Sequence, residues 1–484
     1  MPQETLQQRQ PLPLAMRMTF FVVGAGLLAL FWSVLCTVPG VPWNAPRLAP
    51  SFALAEGLPI YTLRSSGAQL GWVYGPIFPL VFWPVTLIPN LTVSLMMAGA
   101  LNAVILVMPI FLVVRVATGR RTGVARLATL LGAVLLMSNA VTQTAFFYVH
   151  VDAVCIAFGL AAAGALHAAT RGVKAGWHLA ALAVVLAIWT KQLAIALVPA
   201  MIIWLWREGW SGQISSWLKW VVIYGAAVSL VFFLAFGTEQ LVFNMLFVIG
   251  RGPSKADLAV LGSTVWELIA GGWFWWLTLG LVWLFTRLVA GAALPAPAAS
   301  LARLLVWMAA WQAPLGLAAA MKIGGGNNSF HAIHYGLAAA LVAGAGWLVQ
   351  IGALPDRRTW LHAMWFCAFI GLVGVGAGFK FVLRRDAVWQ PNRESERLLA
   401  YAKGRPGRLY LPWNPLVTIL SDHKVYPFDD ALLCLWRAGL EPPREAIQRA
   451  VPAGAEVIYQ AANQSRFALR YFGDEHRRVE PVRP

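Results

Sequence analysis

Apolar residues along this chain fall in long runs rather than in alternation, at 18–38, 75–114, 127–168, 179–206, 218–237, 262–290, 303–321, 332–351 and 361–383. A bilayer core of about 30 Å needs about 20 apolar residues per helix, so each run holds one span or more. The pattern predicts an all-α polytopic membrane protein of roughly 10–13 transmembrane helices. An outer-membrane barrel, whose strands alternate every second residue, does not produce such runs. The first run is longer than the apolar region of a signal peptide and has no small-x-small cleavage site, so it reads as a span.

Basic residues punctuate the runs: Arg115, Arg120, Arg121 and Arg126, then Arg171 and Lys174, Arg207 and Lys219, Arg287 and Arg303, and Arg357 and Arg358. Placing these with Arg9 and Arg17 in the cytoplasm follows the bias of cationic loops toward that side. The opposite side then receives loop 39–74, the neighbourhood of Asp152, Lys191, loops 238–258 and 322–331, and the tail after Arg384. This sidedness requires run 179–206 to turn back at Lys191, with each half about 14 residues or ~21 Å long. It also requires run 75–114 to cross once, which leaves 74–89 as a re-entrant or interfacial piece. No internal repeat is visible, which disfavours transporters built from inverted repeats.

Composition supports the membrane reading. The chain is 59% hydrophobic and 12% charged, about half the charge of an ordinary soluble domain, which excludes a cytosolic globular enzyme. Its 43 Gly, 29 Pro and 24 Trp suit helices packed in lipid with aromatic belts at the interfaces. The net charge of +17 resides mainly in short loops and the tail, where it meets anionic headgroups. Membrane lipids, not nucleic acid, are the expected partners. Cys36, Cys155, Cys367 and Cys434 are scattered, without disulfide or zinc spacing. After residue 384 the composition turns polar. There Glu394–Lys403 and 444–451 read as helices and 408–411 and 456–460 as strands, so 385–484 is expected to be a small α/β domain beside a membrane domain 1–384.

Four polar clusters interrupt apolar surroundings, where ionisable groups are costly and point to function. Loop 39–74 carries Asn44, Arg47, Glu56, Tyr61 and Tyr74, and reads either as a substrate-binding loop or as an interfacial helix. His150 and Asp152 lie between two apolar stretches. Asp152 reads as a helix N-cap or as a carboxylate with a chemical role, and His150 as a packed histidine. Lys191, followed by Gln192, stands mid-run and suits an anion such as phosphate. Finally, Lys322, three glycines, Asn327, Asn328 and His331 lead into a helix, an anion site built on backbone N–H groups or else a tight turn. No metal-ligand cluster is visible. Two carboxylates could share a divalent ion, but no cofactor is indicated.

In their order these segments resemble the GT-C superfamily, integral-membrane glycosyltransferases that use polyprenyl- or dolichyl-phosphate-linked sugars. The likeness is to the bacterial branch with aminoarabinose transferase and protein mannosyltransferase relatives. It rests on Asn44-Ala45-Pro46-Arg47 with Glu56-Gly57 and Tyr61, Tyr74-Gly75-Pro76-Ile77-Phe78-Pro79, His150-Val151-Asp152, Thr190-Lys191-Gln192 and Lys322-x-Gly-Gly-Gly-Asn-Asn, and runs to about residue 383. The resemblance implies Lys191 and Lys322 on the donor phosphate, and Asn327 and Asn328 near the donor. Arg47, Tyr61, Tyr74, His150, Gln192 and His331 are expected to bind substrate. Family members carry an Asp early in the first outer loop, taken as the base. Here Asn44 stands there, and an amide cannot take up a proton. Asp152, whose setting matches the family's second outer-loop Asp, or Glu56 is then expected in that role.

The expected activity is inverting transfer of a sugar from a polyprenyl-phosphate donor to a lipid, glycan or protein acceptor. It would occur at the bacterial inner membrane, with the C-terminal domain extracytoplasmic. A transporter or flippase of a lipid-linked saccharide, or a non-catalytic subunit with the same fold, are the competing readings.

Overall fold

The computed structural model describes residues 25, 28, 31–118, 148–252, 259–270, 297–322, 327–350, 390–459 and 466–472. The runs at 18–38, 127–168 and 262–290 are described only in part, and run 361–383 and the domain boundary at 384–385 lie outside those residues. Among the described residues four helices are long and apolar enough to cross a membrane.

Loop 39–74 contains a helix, α1 (Asn44–Ala55), with nine of its twelve residues buried. Pro46 lies in its first turn, where an N–H has no intrahelical partner in any case. The element is thus a packed helix rather than an open loop. Its apolar side packs against α2 (Ile77–Phe82) and the following 3-10 turn Trp83–Leu87. Together these two pieces are too short to span, in keeping with the re-entrant reading of 74–89. α3 (Leu91–Thr118) makes the crossing.

α4 (Val151–Ala169) and α5 (Ala175–Thr190) pack antiparallel, with Gly176 against the backbone of Ala165 and Ala169. Small residues let helix backbones approach in lipid, where burial of apolar surface supplies little drive. The chain breaks at Lys191, which is extended (φ −148°, ψ 125°). A 3-10 turn, Gln192–Ala196, then leads into α6 (Leu197–Arg207). α6 runs antiparallel to α8 (Pro297–Ala320): Trp204 Nε1 donates to Ser300 O at 3.0 Å, and Glu208 pairs with Arg303. The reversal expected at Lys191 is therefore present.

α7 (Ser211–Phe236) buries only Trp217 and Phe232, while Val222, Val231 and Leu234 are exposed, as suits a helix that faces lipid. α9 (His331–Gln350) returns antiparallel to α8, with Gly336 against Ala309 and Leu305. Arg115, Arg171, Lys174, Arg207 and Arg303 occupy one set of helix ends, and Asp152, Lys191 and His331 the other.

The polar C-terminal region folds around its own core of Tyr410, Tyr426, Leu432, Ile447 and Tyr471. Its elements are α10 (Glu394–Lys403), β1 (Leu409–Tyr410), α11 (Pro415–Asp422), α12 (Asp429–Arg437), α13 (Arg444–Ala450) and β2 (Glu456–Val457). The strands pair in parallel, Leu409 with Glu456 and Tyr410 with Val457, and a parallel pair needs a long crossover such as α11–α13 supply. Both strands are shorter than expected: turns at Gly407 and Pro412 bound β1, and β2 starts at Glu456 as expected but pairs only along the two residues that β1 offers.

The unit is tied to the membrane part at several points. Glu396 accepts from Asn90 and Thr92, each at 2.7 Å. Asn392 N donates to Cys36 O at 3.1 Å, and Phe428 N to Gln69 O at 2.8 Å. Leu416, Ile419 and Val425 share one apolar cluster with Leu48 and Phe52 of α1.

Candidate functional site

The site begins at the turn before α4. His150 is extended and caps that helix, its Nδ1 accepting from Asp152 N at 3.3 Å. Asp152 is therefore not the cap. It sits in the first turn, where the exposed N–H groups favour a carboxylate. Asn44 clamps the turn by donating to Val38 O at 2.8 Å and accepting from Val149 N at 3.0 Å. Asn102 Oδ1 accepts from His150 N at 3.2 Å, and Arg47 donates to Val149 O at 3.3 Å.

The Asp152 carboxylate is buried and fully engaged. Its Oδ1 accepts from the Lys191 ammonium. Its Oδ2 lies 2.8 Å from His150 Nδ1 and 2.9 Å from His331 Nδ1. All four side chains are buried, and a buried ion pair is kept only when its remaining valences are satisfied in this way. Lys191 reaches the carboxylate because α5 stops one residue earlier, and its Nζ also lies 5.9 Å from the Tyr74 ring centroid. Gln192 fixes the break by donating to Val73 O at 2.8 Å and Met245 O at 3.3 Å.

Gly75 holds the other side of this break, its N–H donating to Thr190 O at 3.2 Å. A Cβ there would fall 1.4 Å from Trp189 O. Gly75→Ala must push the Trp189–Lys191 turn away, and overpacking of this kind costs about 1–3 kcal/mol or more. A clearly lowered melting temperature in detergent is expected, and an unchanged melt would disprove this packing.

Beside the cluster lies a cavity of about 390 Å³. Trp43 and Arg47 wall it from α1 and its approach, Gln69–Tyr74 from the loop, His150 from the start of α4, Asn244 from the helical segment 238–251 and Asn328 from the turn before α9. Phe428, Asp430 and Cys434 close it from α12. Asp152 and Lys191 line a smaller pocket to which Asn328 is common. Arg47 and Tyr74 are within electrostatic reach of Asp152, and Tyr74 also of Lys191 and Cys434. Burial and the adjacent Asp429 push the Asp430 carboxyl up to about 6, and burial with Asp430 beside it pushes the Cys434 thiol up to about 12.

The fold thus gathers Arg47, Tyr74, His150, Asp152, Lys191, Asn328 and His331. It does not gather the rest. Glu56 is partly exposed and lies outside the cavity lining, 2.7 Å from His423 of the C-terminal unit. Asn44 and Gln192 serve as braces, and Tyr61 donates to Tyr74 O at 2.7 Å. Lys322 donates to Ile249 O rather than lining either pocket. The glycines 324–326 and the Asn327 side chain lie outside the described residues. The sequence reading missed Trp43, Gln69, Asn244, Asp430 and Cys434. Only their positions in the fold relate them to Asp152, so no local spacing could have marked them.

The sequence shows no ligand cluster, yet the fold assembles one. His150, Asp152 and His331 each offer one ligand atom, all within 4.8 Å of one another, a donor set that zinc accepts. Lys191 already places a positive charge on that carboxylate, which opposes a dication.

No protein-family model and no curated protein sequence matches the chain. In three dimensions it is similar to ArnT from Cupriavidus metallidurans, solved bound to undecaprenyl phosphate, with a TM-score of 0.56 and 13% identity over 90% of each chain. The likeness establishes a GT-C-like membrane fold.

Proposed function

We propose that this chain is a membrane glycosyltransferase that moves a sugar from a polyprenyl-phosphate-linked donor to a lipid, glycan or protein acceptor, without a cofactor. One observation carries the reading: a cavity combining a half-buried Arg47 with the adjoining Asp152–Lys191–His331 cluster, in a fold shared with a protein that holds undecaprenyl phosphate. Cleaving a sugar–phosphate bond leaves negative charge on the phosphate, and fixed donors aimed at that charge lower the barrier. Arg47 offers a planar fork suited to phosphate oxygens. Lys191 is held at the adjoining pocket by Asp152, so its charge is in place before the donor arrives. Lys322 braces 238–251, the segment whose Asn244 walls the cavity.

The basic helix ends belong in the cytoplasm by the positive-inside rule. The cavity and the C-terminal unit then face the periplasm of a bacterial inner membrane. There a lipid-phosphate donor enters from the bilayer and the acceptor from the aqueous side. The test uses purified protein in nanodiscs, with undecaprenyl phosphate titrated against bound radiolabelled polyprenyl phosphate. Saturable displacement is expected, and the absence of specific binding sinks the reading.

A further inference from the structure

Transfer to a hydroxyl needs a group to take its proton, and the residues singled out by sequence are poorly placed for it. Asn44 is an amide, both oxygens of Asp152 are engaged, and Glu56 lies outside the cavity. Among the described residues one carboxylate lines the cavity, and it comes from the C-terminal unit: Asp430, in the first turn of α12. Its neighbour Asp429 turns inward, accepting from Ala468 N at 2.7 Å and Tyr459 Oη at 3.2 Å. Asp430 instead faces the cavity, with the weak donor Cys434 Sγ at 3.9 Å from its Oδ2. Trp43 and Phe428, packed edge to face at 6.4 Å, give the same wall an aromatic surface on which the C–H face of a sugar ring can rest.

Resting on the transferase reading, we propose that Asp430 is the general base of the reaction, supplied to the membrane site by the C-terminal domain. The acceptor O–H proton passes to the Asp430 carboxylate as the acceptor oxygen bonds to the sugar anomeric carbon. The bond from that carbon to the phosphate oxygen breaks, and its electron pair leaves with the polyprenyl phosphate, whose charge Arg47 and Lys191 receive. Asp429, Arg437 and Cys434 face Asp430 from its own helix, and Arg47, Tyr74 and His150 share the cavity. A half-buried carboxyl pushed up to about 6 is ionised at neutral pH yet basic enough to accept a proton.

The experiment measures release of polyprenyl phosphate from polyprenyl-phosphate-linked hexose and pentose in proteoliposomes, with water or octyl glucoside as acceptor. Wild type is expected to lose turnover as pH falls through about 6. Asp430→Asn is expected to lower kcat by about 10²- to 10⁴-fold, abolish that limb and leave undecaprenyl phosphate binding intact. Asp430→Glu, which keeps the carboxylate, retains measurable turnover and the limb. The proposal is overturned if Asp430→Asn keeps the wild-type kcat and pH profile, or raises only the KM for octyl glucoside. It is also overturned if both variants lose undecaprenyl phosphate binding, or if wild type binds that lipid but cleaves neither donor. Loss of lipid binding by wild type itself strikes the transferase reading instead.

Discussion

Asp152→Ala is expected to destabilise the protein by about 3–5 kcal/mol, because it leaves the Lys191 ammonium buried without its counter-ion. His331 would lose its partner on Asp152 Oδ2 in the same step. Folded proteins hold only about 5–15 kcal/mol in reserve, so the variant should melt far below wild type or fail to accumulate. The informative partner is Asp152→Leu with Lys191→Met. Replacing both ions of a buried pair with apolar groups is often neutral, so the double variant should recover much of the lost stability while binding no donor. Thermal unfolding of wild type, Asp152→Leu, Lys191→Met and the double variant gives the coupling energy by a double-mutant cycle. If the two single effects simply add, the ion pair at the centre of the site is not formed.

Arg47→Ala should have the largest effect on donor affinity. A hydrogen bond to a charged group contributes about 1.5–3 kcal/mol, or roughly 10- to 150-fold in the dissociation constant for undecaprenyl phosphate. Arg47→Lys should recover part of this, since a point charge remains without the planar fork. Its structural bond to Val149 O is a single one at 3.3 Å, so the change in stability should be small beside the change in affinity. Equal affinity in wild type and both variants would place the phosphate elsewhere.

Much of the membrane architecture was legible because lipid imposes a simple code. The runs at 218–237, 303–321 and 332–351 correspond to α7, α8 and α9, whose starts are earlier by seven, six and one residues. Polar first turns such as Ser211-Gly212-Gln213 escape a hydropathy reading. The break at Lys191 was also legible, since a charge within an apolar run demands a local explanation. α1 was legible only as one of two readings, a binding loop or an interfacial helix, because what stabilises it is burial against α2 and α11, which no local pattern encodes. α11 and α12 left only weak signals, a Pro at the first helical position and two acidic residues in a first turn.

Within the site, Asp152, Lys191 and His331 could each be singled out, but not their mutual contact. Asp152 and His331 are 179 positions apart. The pairing follows from the stacking of α4, α5 and α9, which no local pattern encodes. The distribution of roles was equally hidden. Asn44 occupies a position the family resemblance marks as catalytic, yet its amide makes two bonds to backbone groups that a carboxylate could not make together.

The reversal at Lys191 has a consequence for how the chain is made. α5 has 16 residues, about 24 Å of helix, and the segment that follows to Arg207 is of similar length. Neither matches a bilayer core of about 30 Å alone. A translocon that samples segments singly would hold each of them only weakly, with a lysine at the tip opposing entry. The two are expected to partition into lipid together as a hairpin, the ammonium crossing once and being captured by the waiting carboxylate of the preceding helix. Assembly would then be order-dependent, and a chain halted before residue 207 should leave its half-hairpin on the ribosomal side.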